Sequence, residues 1–270
     1  MSNENPSLSA LQIEITGILA KSIKSNRDVA RGITIIENNL GIRLVVDNSP
    51  TVSSDSNCCR VGITGSPGVG KSSLVNSLLN FIDLEKTKVA VIAVDPSSRK
   101  SSGALLADRI RVGDNSILDK IYFRSLASRG SYGGLVQNID QIIEFLVCCR
   151  FDLVLIETVG VGQNEVEIEN SVDVLIHVVD SKVGDSMQIA KAGVMEIGDI
   201  FFVNKNDMGL NTQYIDELAT LAHLKRRYSD PSEAIICGST FTNEGISQIV
   251  DLISRLTNND VLKRGRVDYE

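Results

Sequence analysis

A glycine-rich octapeptide offers the clearest chemistry in the sequence. Residues 65–72 read Gly-Ser-Pro-Gly-Val-Gly-Lys-Ser and match the phosphate-loop pattern G-x-x-x-x-G-K-[ST]. The glycines let successive backbone N–H groups point at phosphate oxygens, and the helix that follows adds its N-terminal dipole. The pattern predicts that Lys71 reaches the β- and γ-phosphates and that the Ser72 hydroxyl ligates Mg²⁺. The predicted phosphate-binding residues are Gly65, Ser66, Pro67, Gly68, Val69, Gly70, Lys71, Ser72 and Ser73.

A second motif predicts which base the nucleotide carries. Asn204, Lys205 and Asp207 form an N-K-x-D sequence directly after an apolar run. The Asp207 carboxylate can accept hydrogen bonds from guanine N1–H and from the guanine 2-amino group, whereas adenine offers neither donor. An adenine nucleotide would leave that carboxylate unpaired, at about 1.5–3 kcal/mol per lost bond. GTP is therefore the predicted ligand. Ser239 and Thr240 are weaker candidates for a backbone N–H to guanine O6, because their sequence also suits a plain turn.

Further carboxylates follow other apolar runs. Glu157 begins the sequence Glu-Thr-Val-Gly, which suits a γ-phosphate sensor: Glu157 would act through Mg²⁺ or water, and the Gly160 N–H would contact the γ-phosphate. With Lys71, these two residues are the predicted catalytic groups. Asp95 also ends an apolar run and can face the site. Asp108 lies in a predicted helix and, from its own surroundings, is expected on the surface.

The elements that must position these residues alternate along the chain. Seven short runs rich in Val and Ile alternate with amphipathic stretches, as in a parallel sheet buried on both faces. We therefore predict a doubly wound α/β fold with a mostly parallel sheet of about seven strands. Ligands of such sheets bind at the carboxyl ends of the strands, where the polar motifs fall. His177 lies inside a run and is expected to be a core residue. The runs are 58–64, 89–94, 121–123, 153–156, 172–179, 200–203 and 234–237.

Patterning and composition set the predicted domain organisation. Residues 1–46 are predicted as a helical segment, with Leu11 to Ile23 on one helix and Ser25-Asn26 capping the next. A polar linker is predicted at 47–57 and the phosphate-loop domain at 58–270. The 270 residues carry a net charge of −7, which argues against general nucleic-acid binding. Neither a membrane span nor a signal peptide is readable, so a cytoplasmic location is expected. The five cysteines, with no CxxC spacing, predict neither a disulfide framework nor a zinc site.

Several longer segments resemble one family, the MeaB/ArgK-type GTPases, which are chaperones of adenosylcobalamin-dependent methylmalonyl-CoA mutase. They include VDPSS at 94–98, GALLADRIRV at 103–112, RSLASRG at 124–130 and ETVGVGQ at 157–163. The resemblance implies a GTP-hydrolysing switch with Asp95, Asp108, Glu157 and Ser72 around Mg²⁺. It also implies a mutase partner contacted through residues 184–199, with Gln188 and Lys191 as polar contacts. Family members dimerise through a C-terminal helical arm, and a homodimer is left open here.

Three other functions remain open at this point. The first is a GTPase that delivers a metal or cofactor to another enzyme, although the sequence has no His-rich tract or CxxC pair. The second is a kinase linked to basic amino-acid transport, an older label for the same family. The third is a nucleotide-binding module without turnover, which measurable hydrolysis would exclude.

Overall fold

The computed structural model describes residues 7–22, 24–39, 42, 44, 58–95, 121–127, 138–158, 168–182, 198–222, 228 and 230–260. It describes the backbone alone for Asp95, Ala127, Tyr214, Glu217, Thr220, Leu221, Ala222 and Pro231. Within these ranges the helices are α1 Leu8–Ala20, α2 Asn26–Asn38, α3 Lys71–Asn80, α4 Ile139–Cys148, α5 Thr212–Ala222 and α6 Ile246–Thr257. The strands are β1 Cys59–Thr64, β2 Val89–Asp95, β3 Ile121–Ala127, β4 Leu153–Glu157, β5 Val174–Asp180, β6 Ile200–Asn204 and β7 Ile235–Cys237.

The seven strands form one parallel sheet in the order β3-β2-β4-β1-β5-β6-β7. This confirms the predicted fold class. Each predicted apolar run corresponds to a strand whose first residue differs from the predicted one by at most two positions and whose last residue differs by at most four. Strands β2 to β4 lie on one side of β1 and strands β5 to β7 on the other. The phosphate loop after β1 therefore opens at the point where the strand order reverses, which is where open α/β sheets bind ligands.

Apolar side chains fill both faces of the sheet. On one face, α1, α2 and α4 pack on alternate residues of the strands, among them Ile92 and Ile156. On the other face, α3 and α6 pack on the intervening residues, such as Val91 and Leu155. A smaller cluster under α5 includes Leu218. Burial on both faces explains why the strands are apolar at consecutive positions.

Local sequence sets the boundaries of the two N-terminal helices. The Ser25 side chain accepts from Asp28 N while the Asp28 carboxylate accepts from Ser25 N, a capping box that confirms the predicted start of α2. Helix α1 ends earlier than predicted, at Ala20, because the chain is extended at Lys21. Ile23, expected on the same helix, lies outside the described residues.

Polar contacts attach α2 to the sheet and to α4. The Arg124 guanidinium of β3 donates to the Glu37 carboxylate at 3.0 Å and to Thr34 Oγ1 at 3.2 Å. Asn138 Nδ2, just before α4, donates to Ile36 O at 2.6 Å. The helical pair thus shares a core with the strands. The predicted linker at 47–57 lies outside the described residues, so the division into segments stays a prediction.

No helix in the described part of the chain combines the length and the apolar character needed to cross a bilayer.

Two helical glycines give opposite predictions for the same substitution. A Cβ added at Gly32 in α2 would lie 2.7 Å from Phe145 Cε1, whereas a Cβ added at Gly17 in α1 meets nothing within 4 Å. We expect Gly32→Ala to lower the free energy of unfolding by about 2 kcal/mol through overpacking. Gly17→Ala should raise it by about 0.5–1 kcal/mol, because alanine favours the helix. Urea titration measures the free energy of unfolding of both variants. Equal values for Gly32→Ala and Gly17→Ala would contradict the close packing of Gly32 on Phe145.

Candidate nucleotide site

The loop between β1 and α3 has the backbone of a phosphate cradle. Gly65 and Gly70 have φ values of 136° and 104°, a region that side chains rarely adopt. A Cβ at Gly65 would collide with the backbone of Val178, and one at Gly70 with the Asn204 amide. Helix α3 begins at Lys71 without a side-chain cap, so its first N–H groups face the loop. Of the predicted phosphate-binding residues, Gly65 to Gly70 form this loop at the carboxyl end of β1, and Lys71, Ser72 and Ser73 form the first turn of α3.

The Lys71 side chain reaches from the start of α3 into this loop. Its side chain is buried, and the ammonium Nζ donates to Gly65 O at 2.6 Å and to Ser66 O at 3.0 Å. A buried ammonium on backbone carbonyls sits where an anionic oxygen would be a stronger acceptor. The arrangement therefore places a cation at the centre of the cradle.

Ser72 meets a carboxylate from a neighbouring strand end. Its Oγ donates to Glu157 Oε1 at 2.6 Å, and Glu157 is the last residue of β4. The next residue, Thr158, holds this strand end in place through Thr158 Oγ1 to Thr64 Oγ1 at 3.0 Å and Thr158 N to Ile63 O at 3.0 Å. A hydroxyl and a carboxylate oxygen at this separation are the hard oxygen donors that Mg²⁺ prefers. The two side chains fit a magnesium site.

The structure describes little of the remaining predicted site residues. Asp95 is the last residue of β2, two residues beyond Ala93, which pairs with Glu157, so its backbone lies at the same edge. Four further candidates, Asp108, Gly160, Gln188 and Lys191, lie outside the described residues. Their assigned roles stay predictions.

Asn204 joins the phosphate loop to the loop after β7. Its side chain is 1% exposed; Nδ2 donates to Val69 O at 2.8 Å, and Oδ1 accepts from Thr240 N at 3.0 Å. Ser77 Oγ of α3 also donates to Thr240 O, at 3.4 Å. One amide therefore fixes the spacing between the two loops.

Lys205 makes a second connection. Its φ of 65° turns the chain sharply after β6. Its Nζ donates to Gly68 O at 3.0 Å and to Asp180 Oδ2 at 2.6 Å, while Ser181 Oγ donates to Lys205 O at 2.9 Å. Burial would raise the pKa of Asp180, but the Lys205 ammonium, with further help from the Lys182 N–H, holds that pKa below its usual value. Asp180 was not predicted as a site residue; its position at the end of β5 was the available signal.

Asp207, the residue predicted to read the base, lies in the turn directly after Lys205 and Asn206. Asp207 is exposed in a short 3₁₀ turn, Asn206–Met208. Asn206 N donates to Gly238 O at 2.9 Å, which ties the turn to the loop after β7. The Asp207 carboxylate is thus presented at the edge of the sheet on a braced turn.

The structure gives Ser239 a role in its own loop. Ser239 Oγ accepts from Phe241 N at 3.2 Å and from Thr242 N at 3.4 Å, and Ser239 N donates to Glu244 O at 3.0 Å. The N–H groups of Ser239 and Thr240 therefore both donate within the protein. Donation from either one to guanine O6 requires such a bond to be shared or exchanged, and it stays a prediction.

A phosphate loop after β1 and an N-K-x-D turn after β6 define a P-loop GTPase fold. Residues 29–268 match the family described as methylmalonyl-CoA mutase-associated GTPase MeaB. The chain belongs to this family.

Curated relatives agree with that membership. The chain is 34% identical over 219 residues to GTPase ArgK of Escherichia coli, covering 78% of this chain and 66% of the relative. It is 30% identical over 243 residues to a Caenorhabditis elegans protein named methylmalonic aciduria type A homolog, mitochondrial, covering 83% of this chain and 61% of the relative. The matched part is thus about three fifths to two thirds of each relative's length.

Two solved structures share the fold. A crystal structure described as LAO/AO transport system kinase has a TM-score of 0.52 at 24% identity, covering 93% of this chain and 71% of that one. The hydrogenase maturation factor HypB of Archaeoglobus fulgidus has a TM-score of 0.55 at 17% identity, covering 93% and 100%.

His177 is a core residue, as predicted. It is 2% exposed on β5, its ring lies 6.1 Å from that of Phe201, and its Nδ1 has no hydrogen-bond partner among the described residues. Burial, with a smaller contribution from the Lys71 charge, lowers the pKa of His177 to about 4. The imidazole is therefore neutral in the folded protein near neutral pH.

This burial predicts a pH dependence of stability. Because the folded pKa lies below the unfolded value of about 6.5, protonation favours the unfolded chain as the pH falls from about 6.5 to about 4. Between pH 7.5 and 5.5 the loss attributable to His177 should be about 1.3 kcal/mol. Urea titrations at both pH values should show that His177→Leu lacks this loss. Equal losses in wild type and variant would mean that the histidine is protonated in the fold.

Proposed function

We propose that this protein binds GTP and GDP with Mg²⁺, hydrolyses GTP to GDP and phosphate, and acts as a switch that serves an adenosylcobalamin-dependent mutase of the methylmalonyl-CoA mutase type. The observation that carries the nucleotide proposal is the Asn204 amide, which bonds Val69 O of the phosphate loop and Thr240 N of the loop after β7. One nucleotide would then span both loops, with its phosphates near Lys71 and its base near Asp207.

The base preference rests on acceptor chemistry. Asp207 presents a carboxylate at the rim, on a turn braced by Asn206 N to Gly238 O at 2.9 Å. A carboxylate pairs with the two N–H donors on one edge of guanine and finds no such pair on adenine. Lys205, anchored between Gly68 and Asp180, holds the start of the same turn against the phosphate loop. Specificity and phosphate binding would therefore be coupled through a short, rigid turn.

The phosphate end supplies charge and position. Lys71 would exchange its bonds to Gly65 O and Ser66 O for the β- and γ-phosphate oxygens. Ser72 and Glu157 would hold Mg²⁺, with Asp95 and Asp108 as further candidates from the family resemblance. When bound, Mg²⁺ would neutralise the charge that builds up between the β- and γ-phosphates. Glu157 would act through this Mg²⁺ or through water, and the Gly160 N–H would contact the γ-phosphate and sense its loss.

The mutase partner is supported by family membership. The family is described as methylmalonyl-CoA mutase-associated, and a relative carries the name of methylmalonic aciduria type A. We propose that residues 184–199, with Gln188 and Lys191, transmit the nucleotide state to the mutase and so gate loading or protection of its cobalamin. Dimer formation and a cytoplasmic location stay predictions.

The first test is an exchange of base preference. Asp207→Asn should weaken GTP binding and strengthen xanthosine triphosphate binding, because the amide can donate to the xanthine 2-oxo group. Competition titrations with GTP, ATP and xanthosine triphosphate measure this directly. Wild type should prefer GTP over ATP by about tenfold or more, given the charged hydrogen bonds at stake. Equal affinity of wild type for GTP and ATP would overturn the guanine assignment.

The second test concerns the metal. Glu157→Gln keeps the shape of the side chain and a hydrogen bond to Ser72 but removes the charge that would attract Mg²⁺. We expect the Mg²⁺ concentration at half-maximal phosphate release to rise about tenfold. Glu85→Gln is the matched control, because Glu85 is exposed and precedes the amino end of β2, at the opposite edge of the sheet. An unchanged Mg²⁺ requirement in Glu157→Gln would remove Glu157 from the metal site.

A further inference from the structure

The loop after β7 carries an aromatic side chain that is almost fully exposed in the described part of the chain. Phe241 is 88% exposed, the largest fraction among the large apolar side chains that the structure describes. A single exposed apolar residue is ordinary on protein surfaces. What distinguishes Phe241 is the loop that holds it and the place where that loop lies.

The backbone on which Phe241 sits is fixed on several sides. Phe241 N donates to Ser239 Oγ, Thr240 N to Asn204 Oδ1, and Ser77 Oγ to Thr240 O. An isolated antiparallel bridge joins Ser239 to Glu244. The backbone that carries the ring is therefore held in place, so a ligand that contacts the ring would not have to order the loop.

The same turn borders the proposed base site. The strand order puts β6 between β5 and β7, so Asp207, after β6, lies between the loops that follow its two neighbours. On the β5 side, Lys205 Nζ donates to Asp180 Oδ2. On the β7 side, Asn206 N donates to Gly238 O and Asn206 Nδ2 donates to Glu244 Oε1. A base whose edge is read by Asp207 would then have Phe241 beside one of its faces.

We propose that Phe241 stacks on the face of the bound guanine and supplies affinity that does not depend on the hydrogen bonds at the base edge. Aromatic rings and nucleobases stack face to face or offset, and every base offers a π-face. This inference rests on the proposed guanine-nucleotide binding and adds a second, independent contribution to it: Asp207 selects the base, and Phe241 holds it.

The test compares GDP with inosine diphosphate, two nucleotides whose bases differ at the 2-amino position. Inosine diphosphate lacks the 2-amino group that Asp207 would bind, so it should bind more weakly than GDP to every variant with Asp207 intact. Phe241→Ala should weaken GDP and inosine diphosphate by the same factor, about tenfold. Met208→Ala is the matched control, since Met208 is also apolar and 56% exposed on the adjacent turn. It should change neither affinity by more than about twofold.

A spectroscopic readout separates stacking from a general change in the loop. The chain contains no tryptophan. Phe241→Trp should restore affinity and place a single indole on the base, so that saturating GDP quenches its fluorescence. Ile13→Trp, on the exposed face of α1, should give a signal that GDP does not alter.

The outcomes are distinct. Equal GDP affinity in wild type and Phe241→Ala, or an unquenched Trp signal at saturating GDP, overturns stacking while leaving the proposed function intact. The same holds if Met208→Ala loses as much affinity as Phe241→Ala. Failure of wild type to bind any guanine nucleotide overturns the proposed function and this inference together.

Discussion

The rest of the site depends on the two hydrogen bonds that the Asn204 side chain makes. Its amide donates to Val69 O and accepts from Thr240 N, and it is 1% exposed. A buried amide that satisfies two backbone groups from different loops has no water to replace either bond, so both loops must keep their spacing. Gly70 has no Cβ because one would collide with this amide. The phosphate loop and the loop after β7 are therefore built as one unit.

The sheet supplies the frame for that unit. Parallel strands with apolar residues on both faces bring the ends of β1, β4, β5, β6 and β7 to a single edge, and each of these ends carries a polar side chain or a tight turn. Charge is arranged in the same way: the Lys205 ammonium meets the Asp180 carboxylate from the neighbouring strand and the Gly68 carbonyl from the phosphate loop. Strand order thus decides which strand ends lie close enough for long side chains to connect them, here the ends of β1, β5 and β6.

Local patterns predicted the fold and much of the site, whereas contacts between distant segments were not predictable. The apolar run before Gly65 and the Lys71-Ser72 pair are contiguous, so their strand, loop and helix followed from the sequence. The Asp180–Lys205 pair depends on β5 lying beside β6, which periodicity does not determine. The packing of α2 on β3 through Glu37 and Arg124 depends on strand order in the same way. Phe241 gave no sequence signal, because exposure is a property of the folded loop.

The most direct test of this account is GDP affinity in two asparagine variants, one at the last residue of β6 and one in the turn that follows it. Asn204→Ala removes the amide that joins both loops, whereas Asn206→Ala removes a side chain that donates to the Glu244 carboxylate at 3.4 Å. Isothermal titration should show GDP binding weakened by at least about tenfold in Asn204→Ala, because two buried backbone groups lose their partner. Asn206→Ala should stay within about twofold of wild type. Wild-type affinity in a folded Asn204→Ala protein would contradict the claim that one buried amide organises the site.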